Sequence, residues 1–117
     1  MIAYQAWDHP LPLPDGQGYD LQALPIFDED TPAKWATIER ILAGADYLVI
    51  ASRRGYGALP RWPARYPQTA AYYQQLFNGE LGFQPVACFA RHPQVGPLAL
   101  MDRPAAGLDF DLPAMCR

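Results

Sequence analysis

Residues 52–67, "SRRGYGALPRWPARYP", hold the densest chemistry in this chain. Arg53, Arg54, Arg61 and Arg65 fall within sixteen residues, interleaved with Tyr56, Trp62 and Tyr66 and stiffened by Pro60, Pro63 and Pro67. Guanidinium groups bind phosphate and carboxylate bidentately, and proline lowers the entropic cost of ordering a loop around a ligand. The candidate anion-binding set is therefore Arg53, Arg54, Arg61 and Arg65, with Tyr56 and Trp62 beside them. A second reading is a structural strap, in which the arginines pair with acids elsewhere in the chain and the aromatics pack beneath the prolines.

A weaker constellation is Asp8, His9, Asp28 and Asp30. Carboxylates with one imidazole suit magnesium, calcium or manganese. The plain alternative is that Asp28, Glu29 and Asp30 favour the positive end of a helix and that Asp8 closes a turn. Ser52 is the only serine and stands in no nucleophile elbow. The "GYG" at 55–57 lacks the third glycine of a phosphate fingerprint and opens a proline-broken loop. No cofactor is expected.

Charge is unevenly placed. Residues 1–50 carry eight acids against two cations, and residues 51–100 carry five arginines against Glu80 alone. The whole chain is nevertheless acidic, at net −3. Nucleic acid is excluded as a general partner, because that mode needs a basic surface that neutralises several phosphates. A half-hydrophobic composition with 18% charged residues excludes a disordered chain. Cys88 lies in an apolar run and Cys116 near the end; they fit no metal spacing, and a bridge between them stays open. The longest apolar run, Tyr47 to Ala51, is far short of the roughly 20 residues that span a bilayer.

The elements that must position these groups alternate. Strands are expected at 1–7 and 19–27, the second ended early or placed at an edge by Pro25. A helix follows, capped by Thr31 with Pro32 at its first position, carrying Trp35, Ile38, Ile41 and Leu42 on one face and stopping at Gly44. Residues 46–52 read as a buried strand. Pro67 opens a second helix, with Ala70, Tyr73, Leu76 and Phe77 on its core stripe, Tyr72 half exposed, and Asn78-Gly79 ending it. "FQPVACFA" at 83–90 reads as the next strand, with a short edge strand near 98–101. The order β-β-α-β-α-β predicts a single α/β domain over 1–104, three-layered, with a mostly parallel sheet of four to five strands, and an irregular tail over 105–117. In such sheets ligands sit beyond the carboxyl ends of the strands. Trp7-Asp8-His9, Asp28 to Asp30 and Arg53-Arg54 would share that edge, so Arg53 and Arg54 should find acids at home. Arg61 and Arg65 are then the better candidates for an outside anion.

"WDHPLP" (7–12), "ADYLVIASRRGYGALPRWPARYP" (45–67) and "YYQQLFNGELGF" (72–83) together resemble one kind of domain. It is the soluble extracytoplasmic C-terminal domain of bacterial polytopic membrane glycosyltransferases, the protein O-mannosyltransferase-like group of the GT-C superfamily. The resemblance runs over about residues 2–100. Its most specific part is the string Arg54, Tyr56-Gly57, Pro60-Arg61, Pro63, Arg65-Tyr66-Pro67, then Tyr72-Tyr73, Leu76-Phe77 and Gly79 to Phe83. His9 stands where such sequences often carry a second acid, Arg53 where they usually carry Asn, and the tail lacks a closing strand. The resemblance implies a parent that transfers sugar from a polyprenyl-phosphate donor within its membrane portion. This domain would then be a non-catalytic helper on the outer face of the inner membrane, attached to the parent transmembrane domain and near lipid phosphate, head groups or acceptor. No catalytic residue of the family maps onto these positions. The chain opens almost inside its first strand, which reads as an excised domain or a truncated frame unless Met1 is the native start. Two other readings remain: a small independent metal-dependent enzyme, and a purely structural or oligomerising domain.

Overall fold

A computed structural model of the chain describes residues 1–6, 18–51, 54–88, 94–95 and 98–99. Three parallel strands, β1 (Ile2–Gln5), β2 (Leu21–Ala23) and β3 (Tyr47–Ile50), form a sheet in the order β2-β1-β3. The register sets Ala3 beside Gln22 and Leu48, and Gln5 beside Ile50. β2 is an edge strand and ends two residues before Pro25, which has no amide to offer a ladder.

Helix α1 (Pro32–Ala43) begins as its local sequence dictates. The Thr31 hydroxyl accepts the Lys34 amide at 3.2 Å, Pro32 takes the first turn, and the Gly44 amide closes on the Ile41 carbonyl. Residues 54–61 are helical rather than a loop. A five-residue helix α2 (Arg54–Ala58) runs into a 3-10 turn at Leu59–Arg61. "GYG" therefore lies inside a helix, against expectation. Two glycines make that helix poor by propensity. It is held by tertiary contacts: Tyr56 is buried, with its ring edge-on to Tyr73 and Phe77. Helix α3 (Pro67–Phe77) ends at Asn78, followed by Gly79 in the left-handed region, where glycine carries no Cβ penalty.

One core joins these elements. Ala3, Leu24, Ile26, Ile38, Ile41, Tyr56, Leu59, Tyr66, Tyr72, Tyr73 and Leu76 are buried together, and Leu48 and Ile50 pack against them. All the sheet residues in this core point to one face, that of Ala3 and Gln5. α1 and α3 meet over it, with the Trp35 and Tyr72 rings 5.6 Å apart. Among the described residues the packing is thus a sheet with helices on one face, not the three layers expected. Apolar periodicity marks which residues of a helix are inside; it does not say on which side of a sheet the helix lies.

Two further expectations are corrected. Residues 83–88 are in no strand, and among the described residues the main sheet has three strands where four or five are expected. A strand exists only when paired, and an apolar run with Pro85 inside it offers an incomplete ladder. Near the end, β4 (Gln94–Val95) and β5 (Leu98–Ala99) pair antiparallel in a separate two-stranded sheet. Tyr72 is buried, not half exposed. The expected tail, 105–117, lies outside the described residues.

Candidate functional site at the carboxyl edge of the sheet

The three parallel strands bring their carboxyl ends to one edge, as the strand order predicts. The chain leaving β2 carries Asp28, Glu29 and Asp30, and the chain leaving β3 carries Arg54. Asp8, His9 and Arg53, expected at the same edge, lie outside the described residues.

Asp30 is the most committed group there. One carboxylate oxygen, Oδ2, accepts the amides of Gln68 at 2.7 Å and Thr69 at 3.1 Å, the first turn of α3. The other, Oδ1, accepts the Thr69 hydroxyl at 2.6 Å, the Lys34 ammonium at 3.0 Å and the Trp35 indole N–H at 3.4 Å. Tyr66 is the N-cap of α3 and supplies no side-chain bond, so Asp30 caps that helix from a distant part of the chain. Burial acts to raise the Asp30 carboxyl. The hydrogen bonds from Thr69 and Lys34 and the two backbone amides outweigh it and hold the group at about 2.

Lys34 is a buried cation, with its side chain 1% exposed. Its ammonium sits among four oxygens: the Ile26 and Asp28 carbonyls at 2.9 and 2.7 Å, Asp30 Oδ1, and Thr69 Oγ1 at 2.9 Å. It also lies 5.3 Å from the Trp35 ring centre and 5.6 Å from that of Tyr66. Every proton of the ammonium has an oxygen to meet, which is the condition for keeping such a group inside.

A second polar cluster lies beneath the edge. Gln5 ends β1, and its amide nitrogen donates to the Tyr72 hydroxyl at 2.6 Å while its carbonyl accepts from Tyr73 at 2.7 Å. Burial pushes both tyrosines above the ordinary phenol range. Gly55 makes room for this: a Cβ there would collide with the Tyr73 hydroxyl and lie 3.2 Å from its ring carbon Cζ.

The arginines are arranged differently from the expectation that the distal pair would stay available. Arg65 forms an exposed ion pair with Glu29, which lowers the Glu29 carboxyl and raises the guanidinium. The Arg65 guanidinium also lies 5.2 Å from the Tyr66 ring centre. Arg54 and Arg61 are exposed, Trp62 is 68% exposed, and Tyr56 is buried in the core rather than facing a ligand.

Comparison with protein families, curated proteins and solved structures returned no match.

The metal reading has lost one ligand, because Asp30 would have to leave five donors to bind a cation. Among the described residues no three His, Cys, Asp or Glu side chains are grouped to hold a metal. Cys88 is half-buried and disulfide-bonded. Lys34, Thr69, Gln5 and Gly55 were not singled out from the sequence. For Lys34 a signal existed: it precedes Ile38 and Ile41 by four and seven residues, on the apolar stripe, and follows Asp30 by four. For the others, nothing local marks them.

Proposed function

We propose that this chain is a non-catalytic extracytoplasmic domain of a bacterial membrane glycosyltransferase that uses a polyprenyl-phosphate sugar donor. The observation that carries the reading is how the residues of the resembling string are spent. Tyr56, Pro60, Tyr66, Tyr72, Tyr73 and Leu76 are all buried, and Phe77, Leu81 and Phe83 pack against the same core. The apolar part of the string is spent on a core, which describes a scaffold, with sugar transfer left to the membrane portion. The disulfide at Cys88 fits an oxidising compartment such as the periplasm. No described helix is long and apolar enough to cross a membrane; in this reading the parent transmembrane domain supplies the anchor.

The test is fractionation of the source bacterium with an antibody raised against this chain. The expected result is an inner-membrane band well above the 13.0 kDa of this sequence, cleaved by protease added to spheroplasts. A 13.0 kDa band in the cytoplasmic fraction would overturn the reading.

A purely structural role for the arginine-rich segment is favoured by one contact, the Arg65–Glu29 pair.

A further inference from the structure

The turn that follows the 3-10 segment displays its one tryptophan outward. The Trp62 amide donates to the Leu59 carbonyl at 3.1 Å, and the Trp62 carbonyl accepts the amides of Arg65 at 3.0 Å and Tyr66 at 2.8 Å. These three bonds close the backbone around Trp62 while its side chain stays 68% exposed. Pro60 is buried beneath the turn, and Pro63 and Pro67 restrict it on the far side. Arg61 and Arg65 flank the indole in sequence, and both are exposed. From Tyr47 to Gly79 the chain carries four arginines and no acid. A rigid tryptophan between arginines, in an acid-free stretch of an acidic protein, is complementary to one kind of surface in particular. Indole rings favour the head-group level of a bilayer, and each arginine near an anionic leaflet strengthens attachment.

We infer that Arg61, Trp62 and Arg65 form a docking surface for an anionic lipid bilayer. The inference rests on the membrane-associated reading above and names the partner of its exposed edge. Trp62 enters the interface, and Arg61 and Arg65 turn to lipid phosphate, Arg65 giving up Glu29 as the surface approaches. Glu29 thereby weakens the attachment, since its carboxylate both competes for Arg65 and is repelled by the leaflet. The fixed turn removes most of the ordering cost that a flexible loop would incur.

The test uses the 117-residue chain with vesicles of phosphatidylcholine alone or with added phosphatidylglycerol, read by co-sedimentation. Binding is expected to the phosphatidylglycerol vesicles and to fall with salt. Arg61→Ala should weaken it about five-fold, near what one arginine contributes at such a surface. Trp62→Ala should weaken it about ten-fold, from the loss of buried indole area. Glu29→Gln should strengthen it. All three side chains are exposed, so circular dichroism and the melting midpoint should match the wild type. Failure to sediment with anionic vesicles, or equal sedimentation of wild type and Trp62→Ala, overturns the inference. So does a dimer in vesicle-free sedimentation velocity that Trp62→Ala abolishes, since a second copy would then be the occupant. These outcomes are separate from the fractionation result, which speaks to the parent protein whether or not this turn touches lipid.

Discussion

The carboxylate of Asp30 caps the helix that begins at Pro67 by taking the backbone amide and the hydroxyl of Thr69, 39 residues away. The exit from β2 is thereby locked to the start of α3, with Lys34 filling the space between them. Among the described residues, the deeply buried charges Lys34 and Asp30 both serve this junction.

Removing one member of that junction should be costly. Asp30→Ala leaves the Lys34 ammonium without its counter-ion and the first turn of α3 uncapped. The expected loss is about 3–5 kcal/mol, the range for breaking a buried pair. The double variant Asp30→Leu/Lys34→Met should lose clearly less than the two single changes combined, because no orphan charge remains. Urea denaturation of the wild type, Asp30→Leu, Lys34→Met and the double variant checks this, and strict additivity would remove the coupling.

Acid should act through the same carboxylate. Its folded-state value is depressed to about 2, below the usual carboxylate value of about 4. Stability from Asp30 is therefore fully present above about pH 4 and is lost as pH falls through about 2. The melting midpoint should drop across that window in the wild type. Asp30→Asn should start lower and decline less steeply. A parallel decline in the two proteins would place the acid sensitivity elsewhere.

Gly55→Ala tests the close approach of α2 to α3. At an ordinary helical position this change stabilises by about 0.5–1 kcal/mol. Here the methyl meets the Tyr73 hydroxyl, and a loss of about 1–3 kcal/mol is expected from overpacking. Adding Tyr73→Phe removes the hydroxyl and should recover part of that loss, which chemical denaturation can read directly.

Gln5 can be separated from simple packing. Gln5→Leu keeps the volume but leaves the Tyr73 hydroxyl without its acceptor, at an expected loss of about 1–3 kcal/mol. Combining it with Tyr72→Phe and Tyr73→Phe should restore much of that loss, since no buried polar atom is then orphaned. A triple variant no more stable than Gln5→Leu alone would show that the amide acts only by its shape.

Arg65→Ala should leave the melting midpoint near that of the wild type. Its partner Glu29 is exposed, and such pairs are screened by water and salt. A large fall would show that the segment is a structural strap after all.

The helix starts and stops were legible because their chemistry is local. Thr31, Pro32 and Gly44 act within a few residues, and so do Pro67, Asn78 and Gly79. The parallel order and the shared carboxyl edge followed from strand and helix alternation, which leaves few connections open. Residues 54–61 have the two glycines and proline of a loop, whereas Tyr56 and Leu59 are buried deeply enough to hold a helical path there. A lysine is ordinarily a surface residue, and only the four surrounding oxygens make Lys34 an interior one.

The sequence by itself determined the α/β class, the caps, the acidic first half and the arginine-rich segment that follows β3. Each of these depends on residue type and short spacing alone. Tertiary structure decided which partners those residues took. Asp30 capped the backbone of α3 while holding Lys34 and Trp35 of its neighbouring helix, Arg65 went to Glu29, and Tyr56 turned inward while Trp62 turned outward. Hydrogen bonds and ion pairs are made between groups that the fold brings within 3 Å or so, and a separation of 39 residues has no signature in a single sequence.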